Sequence, residues 1–308
     1  MAALKGGVGK STIAAGLGLA LVRRGMKVGF IDIDVTGSNL YSALGLEHSP
    51  KWELNSKEQR IVAPKVDGYW LLSVASYAGE ESAIMWDASQ FDDLNKIKDD
   101  VNKITPMTPP YEANVILENI RQVIGRVISS GKWHFVKEIL SKDIITWPPD
   151  LDFIIADMPP SSSAEMFSFF ETLKEKIFGV VIVSQPAKLS TIGLIRTIAL
   201  LKQWQLPILG LVANQDGFRT KEGRLEYQFL SPRTDLRKIC NEVGIPFLIS
   251  IPQTADKEVI KKYFDSLADT ARYGRTKTLK EFSAKRKIEH FVTKKVLQKL
   301  VDLTDPEK

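Results

Sequence analysis

A chain of 308 residues, 44% hydrophobic and 26% charged with a net charge of +5, has the balance of an ordinary folded protein, which excludes wholesale disorder and fibrous repeats. At this length folding hides about three quarters of the surface of the extended chain, so a large core needs no staples. A single cysteine, Cys240, excludes an intramolecular disulfide and any Cys-rich zinc or iron–sulfur site built within one chain. No apolar run approaches the roughly 18 to 20 residues that span a bilayer. The run from Ile13 to Val22 imitates the core of a signal peptide behind Lys5 and Lys10. It closes on Arg23, Arg24 and Gly25 without a small-residue cleavage site, so the expectation is a soluble, cytoplasmic protein.

Lys5, Gly6, Gly7, Val8, Gly9, Lys10, Ser11 and Thr12 follow one another. Three glycines let backbone N–H groups curl around a phosphate chain without Cβ clashes. Lys10 supplies a point charge to the β- and γ-phosphates, and the Ser11 hydroxyl suits a Mg²⁺ ligand. Ser11 and Thr12 open an apolar helix whose N-terminal dipole favours anions, and Arg23, Arg24 and Gly25 stop it. The stretch from Lys27 to Ile31 then reads as a strand. Strand, loop, helix and strand in that order is the context a phosphate loop requires. Only Met1 to Leu4 precede the loop, so the first strand is expected to be clipped, with the natural start upstream.

Asp32 and Asp34, separated by one residue at a strand end, are expected to share one side, one carboxylate serving a Mg²⁺-bound water and the other an attacking water. The run from Leu151 to Asp157 is an apolar strand ending in an acid, so Asp157 is the expected magnesium partner through water. Further buried strands are expected at Phe178 to Ser184, Ile208 to Ala213 and Ile245 to Ile251, with a helix from Ile192 to Gln203. Asn214 closes one of these strands at the end where ligands collect in open parallel sheets.

Where the ordinary phosphate-loop pattern wants Gly, this chain has Leu4, and it carries Lys5 one position later. That loop resembles the deviant form of the ParA/MinD superfamily of dimeric ATPases. The resemblance implies that Lys5 reaches across a homodimer to the partner's nucleotide, in the manner of an arginine finger. It also implies that Asp34 activates water and that Asp32 stands behind the magnesium. Further along, Asp34 to Ser38, Trp147 to Pro160, Ser184-Gln185-Pro186, Pro207 to Asn214 and Ile251-Pro252 together resemble Mrp-type (Mrp/ApbC) ATP-binding iron–sulfur carriers. That resemblance places Asn214 and the region of Pro252 against the adenine. It implies Mg²⁺-dependent ATP hydrolysis, expected to be slow here because the second switch lacks the glycines that let it approach the γ-phosphate.

Two departures qualify it. The second switch reads Pro159, Pro160, Ser161, Ser162, Ser163, without the two glycines of the family. The stretch after Asn214 holds no C-x-x-C, and Cys240 alone brings two thiolates to a dimer, fewer than a four-thiolate cluster needs. Residues 88–132 read as a helical insertion with a proline-rich turn, either a partner-binding lobe or an elaboration packed on the sheet. Residues 272–300 read as a basic amphipathic helix, a solvated face on a packed helix or an anchor for nucleic acid or membrane.

The expectation is therefore one doubly wound, mainly parallel α/β P-loop domain over residues 1–308. It binds ATP and Mg²⁺ as a homodimer and acts as an ATP-gated carrier or scaffold for an unidentified client protein or cofactor. Two alternatives stay open: a positioning ATPase acting on DNA or membrane, and a small-molecule ligase or kinase on the same fold.

Overall fold

Unbroken apolar runs belong to strands covered on both faces. The computed structural model describes residues 1–3, 5–34, 37–51, 53–55, 60–73, 136–137, 140, 145–160, 163–227 and 233–285. In it β1 (Val28–Asp32) is buried at every position. It runs parallel to β5 (Tyr69–Ser73) on one side and to β7 (Phe153–Asp157) on the other. A second parallel set pairs β8 (Val180–Ser184) with β9 (Ile208–Arg219), and β9 with β11 (Phe247–Gln253). Residues 1–3 join the two sets. Ala2 N donates to Val181 O at 3.0 Å, its own carbonyl accepts from Val183 N at 3.1 Å, and Met1 N donates to Ala156 O on β7. The expected short first strand is thus a single bridge between β7 and β8.

Antiparallel additions are small. β4 (Lys65–Val66) folds back on β5, and β10 (Leu225–Glu226) folds back on β9. A separate sheet holds β2 (Glu53–Asn55), β3 (Arg60–Val62) and β6 (Ile145–Thr146).

Alternating side chains of β1 enter two cores. Val28 and Phe30 join α1 (Lys10–Arg23), α2 (Leu40–Ala43) and α6 (Lys257–Lys285) through Ile13, Leu17, Leu40 and Phe264. Ile31, on the opposite face, joins α3 (Ala164–Leu173), α4 (Lys188–Gln203) and α5 (Leu236–Val243) through Phe170, Ile198 and Cys240. Helices on both faces of a largely parallel sheet are the doubly wound arrangement. Arg24 further ties α1 to α6 through Asp269 at 2.7 Å and Asp265 at 2.9 Å.

Element bounds shift for local reasons. α4 starts at Lys188, four residues before the expected Ile192, because its polar first turn folds onto its own backbone: Ser190 N donates to Ala187 O at 2.8 Å and Thr191 Oγ1 to the same carbonyl at 3.3 Å. β9 runs past Ala213 to Arg219 because β10 pairs with its end. The expected insertion 88–132 and residues 286–300 of the basic tail lie outside the described residues, whereas α6 carries the tail's first part to Lys285. Among the described residues no helix is long and apolar enough to cross a membrane.

α1 approaches β1 closely because Gly18 faces Phe30. A Cβ at Gly18 would sit 2.1 Å from Phe30 Cζ, and Phe30 is fully buried with its ring edge-on to Tyr69. Gly18→Ala is expected to destabilise the fold by about 1–3 kcal/mol through overpacking, against the small gain in helix propensity. A urea melt with an unchanged midpoint would show that the ring yields.

Candidate functional site

The site forms where the chain leaves the C-terminal ends of the parallel strands, the place at which open α/β sheets collect ligands. Gly9 caps α1 in the left-handed region at φ 89°, and Gly7 takes φ 74°. A Cβ at Gly9 would lie 2.2 Å from Asn214 Nδ2, so the position tolerates only glycine on both counts. Gly6 turns toward the second switch, 3.6 Å from Pro160 Cβ if it carried a Cβ.

Two amide side chains set the loop's peptide planes. Asn214 Nδ2 donates to Val8 O at 2.9 Å, and Gln185 Nε2 donates to Gly7 O at 3.3 Å. A trans peptide carries its N–H opposite its C=O. Holding these two carbonyls therefore turns the N–H groups of Val8 and Gly9 to the other side, where an anion would receive them. Asn214 thus has a loop-orienting contact. Pro252 is buried on β11, the strand paired with that of Asn214.

Lys10, on the first turn of α1, is buried; burial lowers its pKa, opposed by the charges of Asp157 and Asp34. Ser11 follows it and hydrogen-bonds the Asp157 carboxyl, while Thr12 is exposed. Asp157 is buried too, and burial raises its pKa against that Ser11 bond. Its Oδ1 is buried without a hydrogen-bond partner. A buried carboxylate oxygen without a partner, beside a hydroxyl, is a pair of oxygen ligands that fits a hard divalent cation such as Mg²⁺, while the Lys10 ammonium is left for the anion that would accompany it. Ser11 and Asp157 would hold it.

Asp32 stands beside Asp157 in register on the neighbouring strand. It is fully buried, and burial followed by the Asp157 charge pushes its pKa up to about 7. Its carboxylate accepts from Asp34 N at 3.0 Å, Ser38 Oγ at 2.7 Å and Leu40 N at 3.1 Å. Asp34 instead accepts Gly37 N at 2.9 Å. The strand ends at Asp32, whose carboxylate is taken up by protein donors, while the Asp34 charge acts on both Lys10 and Asp157.

Sequence reasoning missed Ser73, fully buried at the end of β5, whose hydroxyl lies 2.6 Å from Ser38 Oγ. It named Gln185 only within a motif and gave it no role. It also missed the buried Asp216, whose carboxylate takes Arg233 Nε and Nη2 at 2.9 and 2.8 Å and the Ser250 hydroxyl. Burial pushes Asp216 upward but is outweighed by Arg233 and Ser250, which leave its pKa below the ordinary value. The only available signal was a strand that continued in polar residues. Cys240 is wholly buried, which pushes its thiol up to about 11. Among the described residues no group of three His, Cys, Asp or Glu side chains is placed to hold a metal ion.

The ParA family of NUBPL iron-transfer P-loop NTPases matches residues 1–105 and 112–284. An iron–sulfur cluster carrier protein of Rickettsia felis is 28% identical over 256 residues, which are 83% of this chain and 63% of that protein. A similar carrier of Rickettsia conorii is matched over 50% of its length, so the chain spans less than two thirds of both relatives. The cytosolic Fe-S cluster assembly factor CFD1 of Kluyveromyces lactis is 28% identical over 80% of this chain and 73% of its own. Among solved structures, the cell division ATPase MinD of Pyrococcus furiosus superposes with a TM-score of 0.53 at 18% identity, over 88% of this chain and 96% of that one. A nucleotide-binding protein of Archaeoglobus fulgidus in complex with ADP gives 0.52 at 21% identity, over 87% and 85%. These likenesses show the P-loop fold of the MinD type.

The raised pKa of Asp32 has a signed consequence. Between about pH 4 and pH 7 the folded chain keeps a proton there that the unfolded chain has lost, so this residue's contribution to stability falls as pH rises through that window. Asp32→Asn is expected to gain on the wild type by up to about 1.4 kcal/mol per pH unit across it, and nothing further above pH 7. Urea unfolding at several pH values would show the trend; a pH-independent difference would mean that the carboxyl ionises freely in place.

Proposed function

As the chain belongs to the NUBPL iron-transfer family of ParA-type P-loop NTPases, we propose that it binds ATP with Mg²⁺, hydrolyses it slowly as a homodimer, and uses the cycle to hold and release a client. The observation that carries this reading is the orphaned Oδ1 of Asp157, buried beside Ser11 and Lys10 at the foot of a loop bent at Gly7 and Gly9. When bound, Mg²⁺ neutralises phosphate charge. The amides from Gly6 to Thr12 and the Lys10 ammonium receive the phosphates. Asp34, on its turn outside the sheet, orients the attacking water. Lys5 serves the partner's nucleotide, and Asn214 and Pro252 border the adenine.

Within this reading the chain's thiols constrain the cargo. The relatives are named as iron–sulfur carriers and an iron–sulfur assembly factor. A cluster carried on this chain would need thiolates, and Cys240 is buried in the core with its thiol held protonated. The described residues therefore do not fit a bridging cluster. The client is a protein or cofactor recognised by other groups, with residues 88–132 and the basic tail as further candidate surfaces, the tail for nucleic acid or membrane.

Lys10→Ala is expected to abolish ATP binding in calorimetry, because it removes the charge set against the phosphates. Lys5→Ala should leave affinity nearly intact while hydrolysis falls about 10³-fold, as for a finger acting in trans. Equal loss of both would assign Lys5 to its own subunit's nucleotide.

Anaerobic reconstitution with iron and sulfide should leave no cluster chromophore on the dimer after gel filtration. A [4Fe–4S] spectrum that persists, and disappears in Cys240→Ser, would overturn the exclusion.

A further inference from the structure

Lys5 is held by its own subunit. Its Nζ donates to Ser190 Oγ at 3.0 Å, on the first turn of α4, and Ser190 is almost wholly buried. The Ser190 hydroxyl lies 3.5 Å from Gln185 Oε1, and Gln185 Nε2 donates to Gly7 O and to Gln215 Oε1. The polarity agrees at every link. An ammonium only donates, so Ser190 accepts from Lys5 and has its proton left for Gln185. The amide takes that proton on its oxygen, which turns its NH₂ toward two carbonyl oxygens. The opposite amide orientation would set oxygen against oxygen at the Gly7 carbonyl.

We propose that Gln185 is a positioning residue that couples occupancy of the phosphate loop to the release of Lys5 from Ser190. The inference rests on the nucleotide-binding reading of this loop. Gly7 O and the N–H of Val8 belong to one rigid peptide plane. The Gln185 contact, long at 3.3 Å, aims the Val8 N–H only approximately, so an anion that draws this N–H into line rotates the plane and moves Gly7 O away from the Gln185 amide. The amide then repositions its carbonyl, the Ser190 hydroxyl loses its acceptor, and the grip on Lys5 weakens. The three polar steps link the loop after β8 to both the loop after Met1–Ala3 and the start of α4. Gln185 and Ser190 have no assigned part in holding phosphate, so Gln185 acts through Gly7 at one end and through Ser190 at the other.

The test reads Lys5 directly. Dilute full-length chain is treated with an amine-acylating reagent, with and without Mg·ADP, and modification of Lys5 is followed by peptide mass spectrometry. Ser190→Ala is expected to acylate about tenfold faster than wild type, the effect of losing one hydrogen bond to a charged group. Wild type should accelerate several-fold on adding Mg·ADP. Gln185→Glu separates coupling from simple support: its carboxylate still accepts from Ser190 but cannot donate to Gly7, so Lys5 stays held and no longer responds to Mg·ADP. Gln185→Leu should be fast with or without nucleotide. Acceleration by Mg·ADP in Gln185→Glu equal to that in wild type overturns the coupling, and so does a Lys5 rate that is the same in every variant. Calorimetry on the wild type distinguishes the failures. Mg·ADP that binds without releasing Lys5 sinks the relay alone, whereas absence of binding sinks the nucleotide reading and the relay's trigger with it.

Discussion

Two carboxylates that face each other across adjacent buried strands are the constraint around which this molecule is arranged. Asp32 and Asp157 occupy the same register position at the ends of β1 and β7, and both are almost wholly out of water. Such a pair is costly unless each member is satisfied. Asp32 is satisfied from the chain that follows it, by Ser38, Leu40 N and Asp34 N, which ties Asp34 and Ser38 to the start of α2. Ser73 braces Ser38 from β5. Asp157 is satisfied from the other side by Ser11, with Lys10 nearby, which sets the start of α1 against β7. One oxygen of Asp157 is left over. The unsatisfied remainder of an otherwise compensated pair lies next to the loop's only buried ammonium, and this is what makes the place a site.

The parts legible in the sequence were those whose chemistry is contained in a few consecutive residues. The phosphate loop is one: φ above zero at Gly7 and Gly9, the capping of α1 and the exposure of loop amides all follow from eight neighbours. The apolar strands are another, because burial on both faces leaves no polar residue to interrupt them. What was not legible depends on partners far apart in the chain. Gln185 meets a loop 178 residues away, and Ser73 is an ordinary polar strand end until β1 lies beside it. Asp32 and Asp34 differ in their surroundings for a local reason. Period-two alternation applies only while the strand continues, and here it stops at Asp32, whose own carboxylate draws in the Asp34 amide.

The segment after Asn214 shows how a departure from a family pattern acquires structure. Without cysteines to organise it, β9 continues to Arg219 and returns through β10. Gln215 takes φ 54°, the register to β11 shifts between Ile251 and Gln253, and Asp216 is turned inward. Arg233 meets its carboxylate with two nitrogens and lies 4.6 Å from the centre of the Tyr227 ring. Its backbone also bridges to Ala187, so Arg233 ties the segment after β8 to Asp216 on β9. A bidentate pair of this kind gives geometry as well as energy. Removing Arg233 would leave the buried Asp216 carboxylate without its charged partner, whereas Arg233 itself is half exposed.

The two lysines of the loop differ in the same terms. Lys10 is buried among Asp157 and Asp34, where burial works against its charge and only those acids, or an anion in the loop, compensate. Its commitment is to its own subunit. Lys5 is only partly buried and is held by a neutral hydroxyl. A hydrogen bond from an ammonium to a neutral acceptor contributes about 1.5–3 kcal/mol, enough to bias a side chain and small enough to surrender to a phosphate. A carboxylate at position 190 would compete with the phosphate it is meant to yield to; an apolar residue would leave the ammonium unplaced. Serine, tied through Gln185 to the peptide that a phosphate would turn, gives a hold of intermediate strength whose release depends on the loop it adjoins.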